Sequence, residues 1–192
     1  MTLLNFPVTF SDVLPPEEFK ALHEELMTGW TLGNESNQGD SRFWSFPDEE
    51  KSRLSFFSAA SRIKLKMMKV LRHDLRLFKI HVNGQTSGQN SFFHADSSFP
   101  QTYTFVLFMS PRWSTNWGGE FCLFDPIAQD YKFVAYRPNW GTFFPANWDH
   151  RGASPNNSTS DMRISVAFSY CHPAIIKEVE GEGRGLYAKF LR

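Results

Sequence analysis

From Leu75 onward the chain is a succession of short aromatic and β-branched runs divided by Gly, Pro, Asn and Asp. The runs are RLFKIHV, TYTFVLFM, EFCLF, YKFVAY, GTFFP and RISVAFSY. Because such residues favour strands and the residues between them favour turns, the second half is predicted to be mainly antiparallel sheet. TYTFVLFM and RISVAFSY have apolar residues at both odd and even positions. This pattern indicates central strands covered on both faces, as in a double-stranded β-helix (jelly roll).

The residues before Leu75 follow a helical pattern instead. The segment from Pro15 to Gly29 has two prolines at its start, acidic residues in the next turn and apolar residues three and four apart, which predicts an amphipathic helix. Apolar residues recur at the same spacings from Asp48 to Asp74, with Lys and Arg between them, and predict a second, longer helix. The two helices are expected to pack on the outside of one sheet.

The length of 192 residues is that of one domain. The sequence therefore predicts a single domain over residues 1–192, mainly β with N-terminal helices. It divides into a helical support region at 1–74, a jelly-roll core at 75–172 and a C-terminal tail at 173–192. The tail fits either a helix or irregular structure.

Composition narrows the classes of function. Lys plus Arg and Asp plus Glu each number 20, so the net charge is zero and gives no basis for a nucleic-acid or anionic-membrane partner. No apolar run approaches the roughly 20 residues of a membrane span. The first residues lack the features of a signal peptide, so a cytoplasmic location is expected. Cys122 and Cys171 form no Cys-x-x-Cys pair, and both are predicted to be buried strand residues.

The strongest chemical signal is the tripeptide His94-Ala95-Asp96, with His150 further along the chain. Residues two apart on an extended chain point to the same side, so His94 and Asp96 can offer an imidazole and a carboxylate to one ion. A later strand can supply the second imidazole from His150. Two imidazoles and one carboxylate on one face of an octahedron leave three positions open, which suits non-haem Fe(II) and dioxygen.

A second signal is Arg163, which begins RISVAFSY, a run that must be a buried strand. A permanently charged guanidinium on a buried face is costly unless it meets an anion, and its planar fork matches a carboxylate. Ser165, two residues on, shares its face and can donate to the same anion. The order His-x-Asp, His and Arg-x-Ser therefore predicts a metal site and, beside it, a site where Arg163 and Ser165 bind the carboxylate of another molecule.

With these residues in place, the stretch from about Leu75 to Tyr170 resembles the Fe(II) and 2-oxoglutarate dependent oxygenases, and within them the prolyl 4-hydroxylase-like branch. Besides the residues named above, the resemblance rests on the loop VNGQTSGQNSFFH, the strand TYTFVLFMSPRW and the segment WGGEFCLFD. The last of these is similar to the Gly-Gly turn of that branch. The Gly118-Gly119 pair is accordingly predicted to be a turn without a catalytic role.

The resemblance implies an enzyme that couples oxidative decarboxylation of 2-oxoglutarate to hydroxylation of an unactivated C–H bond by dioxygen. Ascorbate is then a candidate reductant. A prolyl or other amino-acid-like substrate, peptidyl or small, is the leading expectation, and a small non-amino-acid metabolite is the alternative. The implied metal ligands and catalytic residues are His94, Asp96 and His150, and the implied co-substrate residues are Arg163, Ser165 and Thr104.

Two rival functions share the same donors. A catalytic zinc site also uses two imidazoles and a carboxylate with an open position, but a zinc hydrolase needs no buried guanidinium on the neighbouring strand. A jelly-roll module that binds metal without turnover is the non-enzymatic alternative. The chain also departs from those family members that hold 2-oxoglutarate partly with a tyrosine before His-x-Asp, because LFKIHV offers only His81, which is expected to be an ordinary strand histidine.

Further residues are candidates for contact with a substrate. Arg112 and Arg151 flank the predicted site and can attract an acidic substrate, although solvated loop arginines are commoner. Aromatic walls are also typical of ligand pockets, whereas tryptophans in a jelly roll are more often core residues. The tryptophans that qualify are Trp113, Trp117, Trp140 and Trp148.

Overall fold

The computed structural model describes residues 4–34, 43–47 and 53–179 of the chain. The α-helices in these ranges are α1 (Pro16–Glu25), α2 (Leu54–Leu71) and α3 (Ile176–Val179). The strands of the first half are β1 (Val8–Phe10), β2 (Thr31–Asn34), β3 (Phe43–Ser45) and β4 (Arg76–Gln85). The later strands are β5 (Thr102–Phe108), β6 (Phe121–Asp125), β7 (Asp130–Val134), β8 (Gly141–Pro145), β9 (His150–Gly152) and β10 (Arg163–Cys171).

The strands form two antiparallel sheets. The larger sheet has the order β1-β8-β5-β10-β4-β3-β2, and the smaller sheet has the order β7-β6-β9. A further bridge between His94 and His150 places the segment around His94 beside β9, at the edge of the smaller sheet. From β5 onward the chain passes back and forth between the two sheets, which is the double-stranded β-helix that the sequence predicts.

The outer face of the larger sheet is apolar and carries the helices. β10 directs Ile164, Val166 and Phe168 to this side, where they are buried in one cluster with Ile63 of α2 and Leu22 of α1. Because alternate strand residues and one face of each helix leave water together, this cluster is the main core. The predicted packing of both helices on the outside of one sheet is confirmed.

The space between the two sheets has two parts. One part is filled by Tyr136 and by residues of both sheets, namely Val106, Phe108, Phe121, Leu123, Val134 and Phe144. The other part, which is bounded mainly by β4, β10 and β9, contains a cavity. The fold therefore places an open, polar space directly beside a closed apolar core.

The N-terminal region contains strands as well as the predicted helices. β1 extends the larger sheet at β8, and β2 and β3 extend it beyond β4. These strands have only three or four residues, too few to show a period of two in the sequence. α1 ends at Glu25, before Gly29, and the helix predicted from Asp48 begins at Leu54. Residues 48–52 lie outside the described ranges.

The C-terminal tail is helical as far as residue 179. A 3₁₀ turn, Pro173–Ile175, precedes α3, and Val179 packs with Phe78 and Cys171. Both cysteines are buried, as the sequence predicts. The residues from 180 onward lie outside the described part of the chain. In the ranges that are described, no helix has the length and apolar character needed to cross a membrane.

Candidate active site

The structure brings together the three side chains that the sequence predicts as metal ligands. Their ligand atoms all lie within 4.8 Å of one another. His94 Nε2 is 3.9 Å from Asp96 Oδ1, and His150 Nε2 is 3.6 Å from Asp96 Oδ2. Two imidazole nitrogens and a carboxylate that converge in this way can share one divalent ion and leave its other positions open.

Backbone hydrogen bonds hold the three residues in place. The amide of His94 donates to the carbonyl of His150 at 3.1 Å, and the amide of His150 donates back to the carbonyl of His94 at 2.9 Å. The amide of Asp96 donates to the carbonyl of Ala146 at 2.8 Å, just beyond the end of β8. The edge of the smaller sheet therefore positions the two imidazoles, and the end of β8 positions the carboxylate.

Each histidine is oriented by a carbonyl group near its ring. Nδ1 of His94 lies 3.1 Å from the carbonyl oxygen of Phe92, and Nδ1 of His150 lies 3.1 Å from that of Trp148. A carbonyl oxygen only accepts, so Nδ1 carries the proton in both rings and Nε2 keeps its lone pair for an ion. His150 also packs against the ring of Phe144, with 4.5 Å between centroids.

Asp96 is held by Thr104, whose hydroxyl donates to Oδ2 at 2.7 Å. Burial by itself disfavours the charged form, but nearby His150, the Thr104 hydroxyl and the charge of Lys79 hold the pKa of this carboxyl below its ordinary value. Burial also lowers the pKa of His150. At neutral pH the pair therefore presents an ionised carboxylate and a neutral imidazole, which are the forms that bind a metal ion.

Arg163 begins β10, and only 2% of the residue is exposed. Nε donates to the carbonyl of Gly119 at 2.8 Å, while Nη1 donates to Gln85 Oε1 at 2.9 Å and to Ser165 Oγ at 3.3 Å. Nη2 is buried and has no partner in the described part of the chain. A buried guanidinium that has only neutral acceptors and one unpartnered nitrogen is arranged to receive an anion.

Two glycines make room for this guanidinium. A Cβ atom at Gly152 would lie 3.1 Å from Nη1 of Arg163, and a Cβ atom at Gly119 would lie 3.3 Å from its Cδ. Gly119 also has a φ of +83°, a conformation that L side chains rarely adopt. The Gly118-Gly119 pair lies between the 3₁₀ helix Thr115–Trp117 and β6, and Gly118 forms a bridge with Pro155. The carbonyl of Gly119 also orients Arg163, a role that the sequence does not reveal.

Arg163 and the three candidate ligands line one cavity of about 380 Å³, a size typical of small-ligand pockets. β4 contributes Lys79, His81, Asn83 and Gln85 to its wall. Sequence reasoning missed three of these and treated His81 as an ordinary strand residue. The signal was present, because these polar residues alternate with buried Ile80 and Val82 along RLFKIHVNGQ.

The other two predicted co-substrate residues occupy different positions. Ser165 lines the cavity and accepts a hydrogen bond from Arg163. Thr104 is fully buried beside Asp96 and is not among the described residues that line the cavity. The structure thus gives Thr104 a contact with a candidate metal ligand, whereas its contact with a co-substrate stays a prediction.

Several residues considered for substrate contact lie away from the cavity. Arg112 pairs with Asp161, with Nε 3.0 Å from Oδ2, and Arg151 packs over the ring of Phe93. None of the four tryptophans is among the described residues that line the cavity. Three of them pack instead against the apolar cluster between the sheets, so the core alternative is correct for Trp113, Trp140 and Trp148.

Comparison with known proteins gives matches at the level of structure only. No family model and no curated protein sequence matches the chain. A prolyl-4-hydroxylase of Pseudomonas putida is 14% identical, with a TM-score of 0.62 over 86% of this chain and 92% of its own. HygX of Streptomyces hygroscopicus, with nickel and 2-oxoglutarate bound, is 14% identical, with a TM-score of 0.67 over 87% and 83%. A Trichoplax adhaerens prolyl hydroxylase, in complex with a hypoxia inducible factor peptide fragment, is 12% identical, with a TM-score of 0.67 over 88% and 84%.

The chain therefore shares the fold of these solved structures, which include two prolyl hydroxylases and a protein with 2-oxoglutarate bound. Two observations agree on this, the passage of the chain between two sheets and the match over most of each solved structure. At identities of 12 to 14%, the comparison establishes the fold. The chemistry depends on the residues of the cavity.

Proposed function

We propose that the protein is an oxygenase that uses Fe(II), 2-oxoglutarate and dioxygen to hydroxylate an unactivated C–H bond. One observation carries the proposal: a single cavity contains the cluster of His94, Asp96 and His150 together with buried Arg163, whose Nη2 has no partner among the residues that the structure describes. The cluster fits a divalent ion, and the guanidinium fits a carboxylate. A keto acid with a distal carboxylate needs both. The shared fold supports the same assignment.

The residues of the cavity divide into two binding groups. His94 and His150 would hold Fe(II) through Nε2, and Asp96 would hold it through its carboxylate. Arg163 and Ser165 would bind the distal carboxylate of 2-oxoglutarate. Bound together, Fe(II) and 2-oxoglutarate supply the oxidising chemistry by which dioxygen yields succinate, carbon dioxide and a hydroxylated substrate.

The surrounding residues keep both groups ready for binding. The hydroxyl of Thr104 favours the ionised form of Asp96, and the carbonyls of Phe92 and Trp148 fix the tautomers of the imidazoles. Apolar side chains from both sheets exclude water from one side of His150, since the rings of Phe121 and Phe144 lie 5.6 and 4.5 Å from its ring.

A zinc hydrolase fits the cavity less well. Such an enzyme needs a base that activates water in addition to its metal ligands. Asp96 is the only acidic side chain among the described residues that line the cavity, and it is itself a candidate ligand. The buried guanidinium of Arg163 also has no task in a hydrolase.

For the prime substrate we propose an amino-acid-like group, with prolyl as one candidate. The support is the structural likeness to prolyl hydroxylases, one of which is solved with a peptide fragment. Phe43, Val106 and Phe121 give the cavity an apolar wall that suits an aliphatic ring or side chain. A small metabolite of another class is the alternative, and HygX has been solved with hygromycin B bound.

Formation of succinate tests the proposed reaction. The purified protein is incubated in air with Fe(II) and 2-oxoglutarate, first alone and then with a library of free amino acids and proline-containing peptides. We expect succinate that depends on added Fe(II), together with a gain of one oxygen in the substrate by mass spectrometry. The variants His150→Ala and Arg163→Leu are the matched controls and should lose both signals. A protein that binds Fe(II) and 2-oxoglutarate without forming succinate under any of these conditions would be a binding module.

A further inference from the structure

The cavity has a second cationic residue at the end opposite Arg163. Four residues of β4 face the cavity, and each pairs with a residue of β10. The pairs are Lys79 with Ser169, His81 with Ala167, Asn83 with Ser165 and Gln85 with Arg163. Gln85 accepts a hydrogen bond from Arg163, so this pair marks the co-substrate end. Lys79 precedes Gln85 by six residues. It therefore lies roughly 20 Å away along the strand.

The candidate metal ligands lie near the Lys79 end. Thr104, which donates to Asp96, has its hydroxyl 3.4 Å from that of Ser169, the cross-strand partner of Lys79. Lys79 and Asp96 also line the same cavity. Lys79 is therefore beside the metal cluster, on the side away from Arg163.

A β-bulge directs Lys79 into the cavity. The register of β4 against β10 shifts next to Ser169, and Phe78 is the extra residue. Phe78 packs with Cys171 and Val179, while Lys79 keeps the inward side and is partly buried. Bulges often re-aim a side chain next to an active site.

Among the described residues, Lys79 acts electrostatically on the carboxylate of Asp96, whose direct ion pairs are with His94 and His150. A cation on the wall of a cavity raises the local concentration of anions and favours an anionic ligand there. Arg163 is proposed to hold the distal carboxylate of 2-oxoglutarate at the other end of the cavity, so we assign the anion near Lys79 to a different molecule, and the KM for 2-oxoglutarate tests this assignment.

We propose that Lys79 binds the carboxylate of the prime substrate. The substrate is then a free amino acid or related small acid, or the C-terminal residue of a peptide, and not a residue inside a peptide. The inference rests on the proposed oxygenase function and narrows the amino-acid-like class named there. Lys79 and Arg163 each hold one carboxylate, and the carbon atoms next to the substrate carboxylate lie nearest the metal cluster.

Calorimetric titration of the protein loaded with Ni(II) and 2-oxoglutarate tests the inference without turnover. The probes are free amino acids and dipeptides that end in the same residues, each paired with its carboxamide. We expect at least one acid to bind, and its carboxamide to bind about tenfold or more weakly. The two arms of the panel distinguish a free acid from a peptide C-terminus. If no acid binds more tightly than its carboxamide, the proposal is overturned.

Variants of Lys79 test whether this residue causes the tighter binding of the acid. Lys79→Met should weaken binding of the acid roughly 10- to 100-fold, because a charge-assisted hydrogen bond is lost, and should leave binding of the carboxamide unchanged. Lys79→Arg should restore most of the affinity. The matched control is Lys69→Met on the exposed side of α2, which should bind the acid like the parent protein. A rise of about tenfold in the KM for 2-oxoglutarate in Lys79→Met would assign the ammonium to the co-substrate and overturn the proposal.

Failure of this inference can be separated from failure of the proposed function. If the parent protein forms succinate but binds acids and carboxamides alike, the role of Lys79 is wrong and the oxygenase stands. If binding of an acid depends on Lys79 but no succinate forms with that acid, the oxygenase function is wrong and the carboxylate site stands.

Discussion

β4 and β10 are paired strands that present two different faces. On the outer face, Ile164, Val166 and Phe168 are buried against the helices. On the inner face of the same strand, Arg163 and Ser165 line the cavity. Because successive strand residues point to opposite sides, one hydrogen-bond ladder supports a stabilising core and a binding site at the same time. Substitutions one residue apart should therefore have separable effects on stability and on binding.

The two faces also differ in what burial does to the free energy of folding. Apolar side chains on the outer face stabilise the fold when they leave water. Arg163 on the inner face donates hydrogen bonds to neutral acceptors, and its burial disfavours the charge, which a bound anion would stabilise. Ligands that bind only the folded protein raise its apparent stability. Fe(II) with 2-oxoglutarate should therefore raise the Tm of this protein.

The largest effect is expected at the candidate metal ligands. His94→Ala and His150→Ala should each abolish stoichiometric Fe(II) binding, because each removes one of three ligands, and should leave the fold largely intact. Iron titration and circular dichroism measure the two outcomes. His73→Ala, at a histidine outside the cavity, is the control. Unchanged iron affinity in either ligand variant would contradict the assignment.

The next largest effect is expected on the outer face. Phe168 is fully buried in the cluster below the helices, so Phe168→Ala should destabilise the fold by about 3 to 5 kcal/mol. Phe168→Leu provides a milder version should the alanine variant not fold. The KM for 2-oxoglutarate should not change at temperatures where the variant is folded. Denaturant unfolding gives the stability, and a change in KM comparable with that of an inner-face variant would show that the two faces are coupled.

Substitution of Arg163 should instead change the KM for 2-oxoglutarate. Arg163→Leu removes hydrogen bonds to a charged group that contribute about 1.5 to 3 kcal/mol, so the KM for 2-oxoglutarate should rise by one to two orders of magnitude. Fe(II) should still bind. Ile164→Val, at the adjacent outer position, is the matched control and should keep the parent KM. If turnover of 2-oxoglutarate survives unchanged in Arg163→Leu, the guanidinium has only a structural role.

The smallest effect is expected at Thr104. Thr104→Val keeps the shape of the side chain but removes the hydroxyl that donates to Asp96. Loss of a side chain that hydrogen-bonds to a metal ligand weakens metal affinity about 10- to 100-fold. We expect a loss at the lower end of this range. Competition with a chelator measures the affinity. A raised KM for 2-oxoglutarate with unchanged iron affinity would instead support Thr104 as the co-substrate contact that the sequence predicts.

Much of the fold could be predicted because its pattern is strong and local. RISVAFSY became β10, and the long helical repeat became α2. The strands β1, β2 and β3 could not be predicted, because three or four residues carry too little periodicity and their pairing partners are distant in sequence. The single-domain boundaries and the cytoplasmic location stay predictions.

The candidate site was predictable to a lesser extent. His94, Asp96 and His150 were found because metal ligands need few residue types at limited spacings. Lys79 and Gln85 were missed, because the alternation along β4 shows that they share one face of the strand but not whether that face meets solvent or a cavity until the opposite sheet is placed. The positions of the tryptophans were left open between core and cavity for the same reason, since packing between sheets decides which aromatic residues reach a cavity.

Metal-dependent binding of 2-oxoglutarate tests the central claim most directly, because it requires the candidate metal ligands and Arg163 to act on one molecule. Calorimetric titration with and without Ni(II) is the measurement. We predict one binding site, at least about tenfold tighter affinity with the metal, and loss of this gain in both His150→Ala and Arg163→Leu. Equal affinity with and without metal, or a gain that survives in Arg163→Leu, would contradict the account.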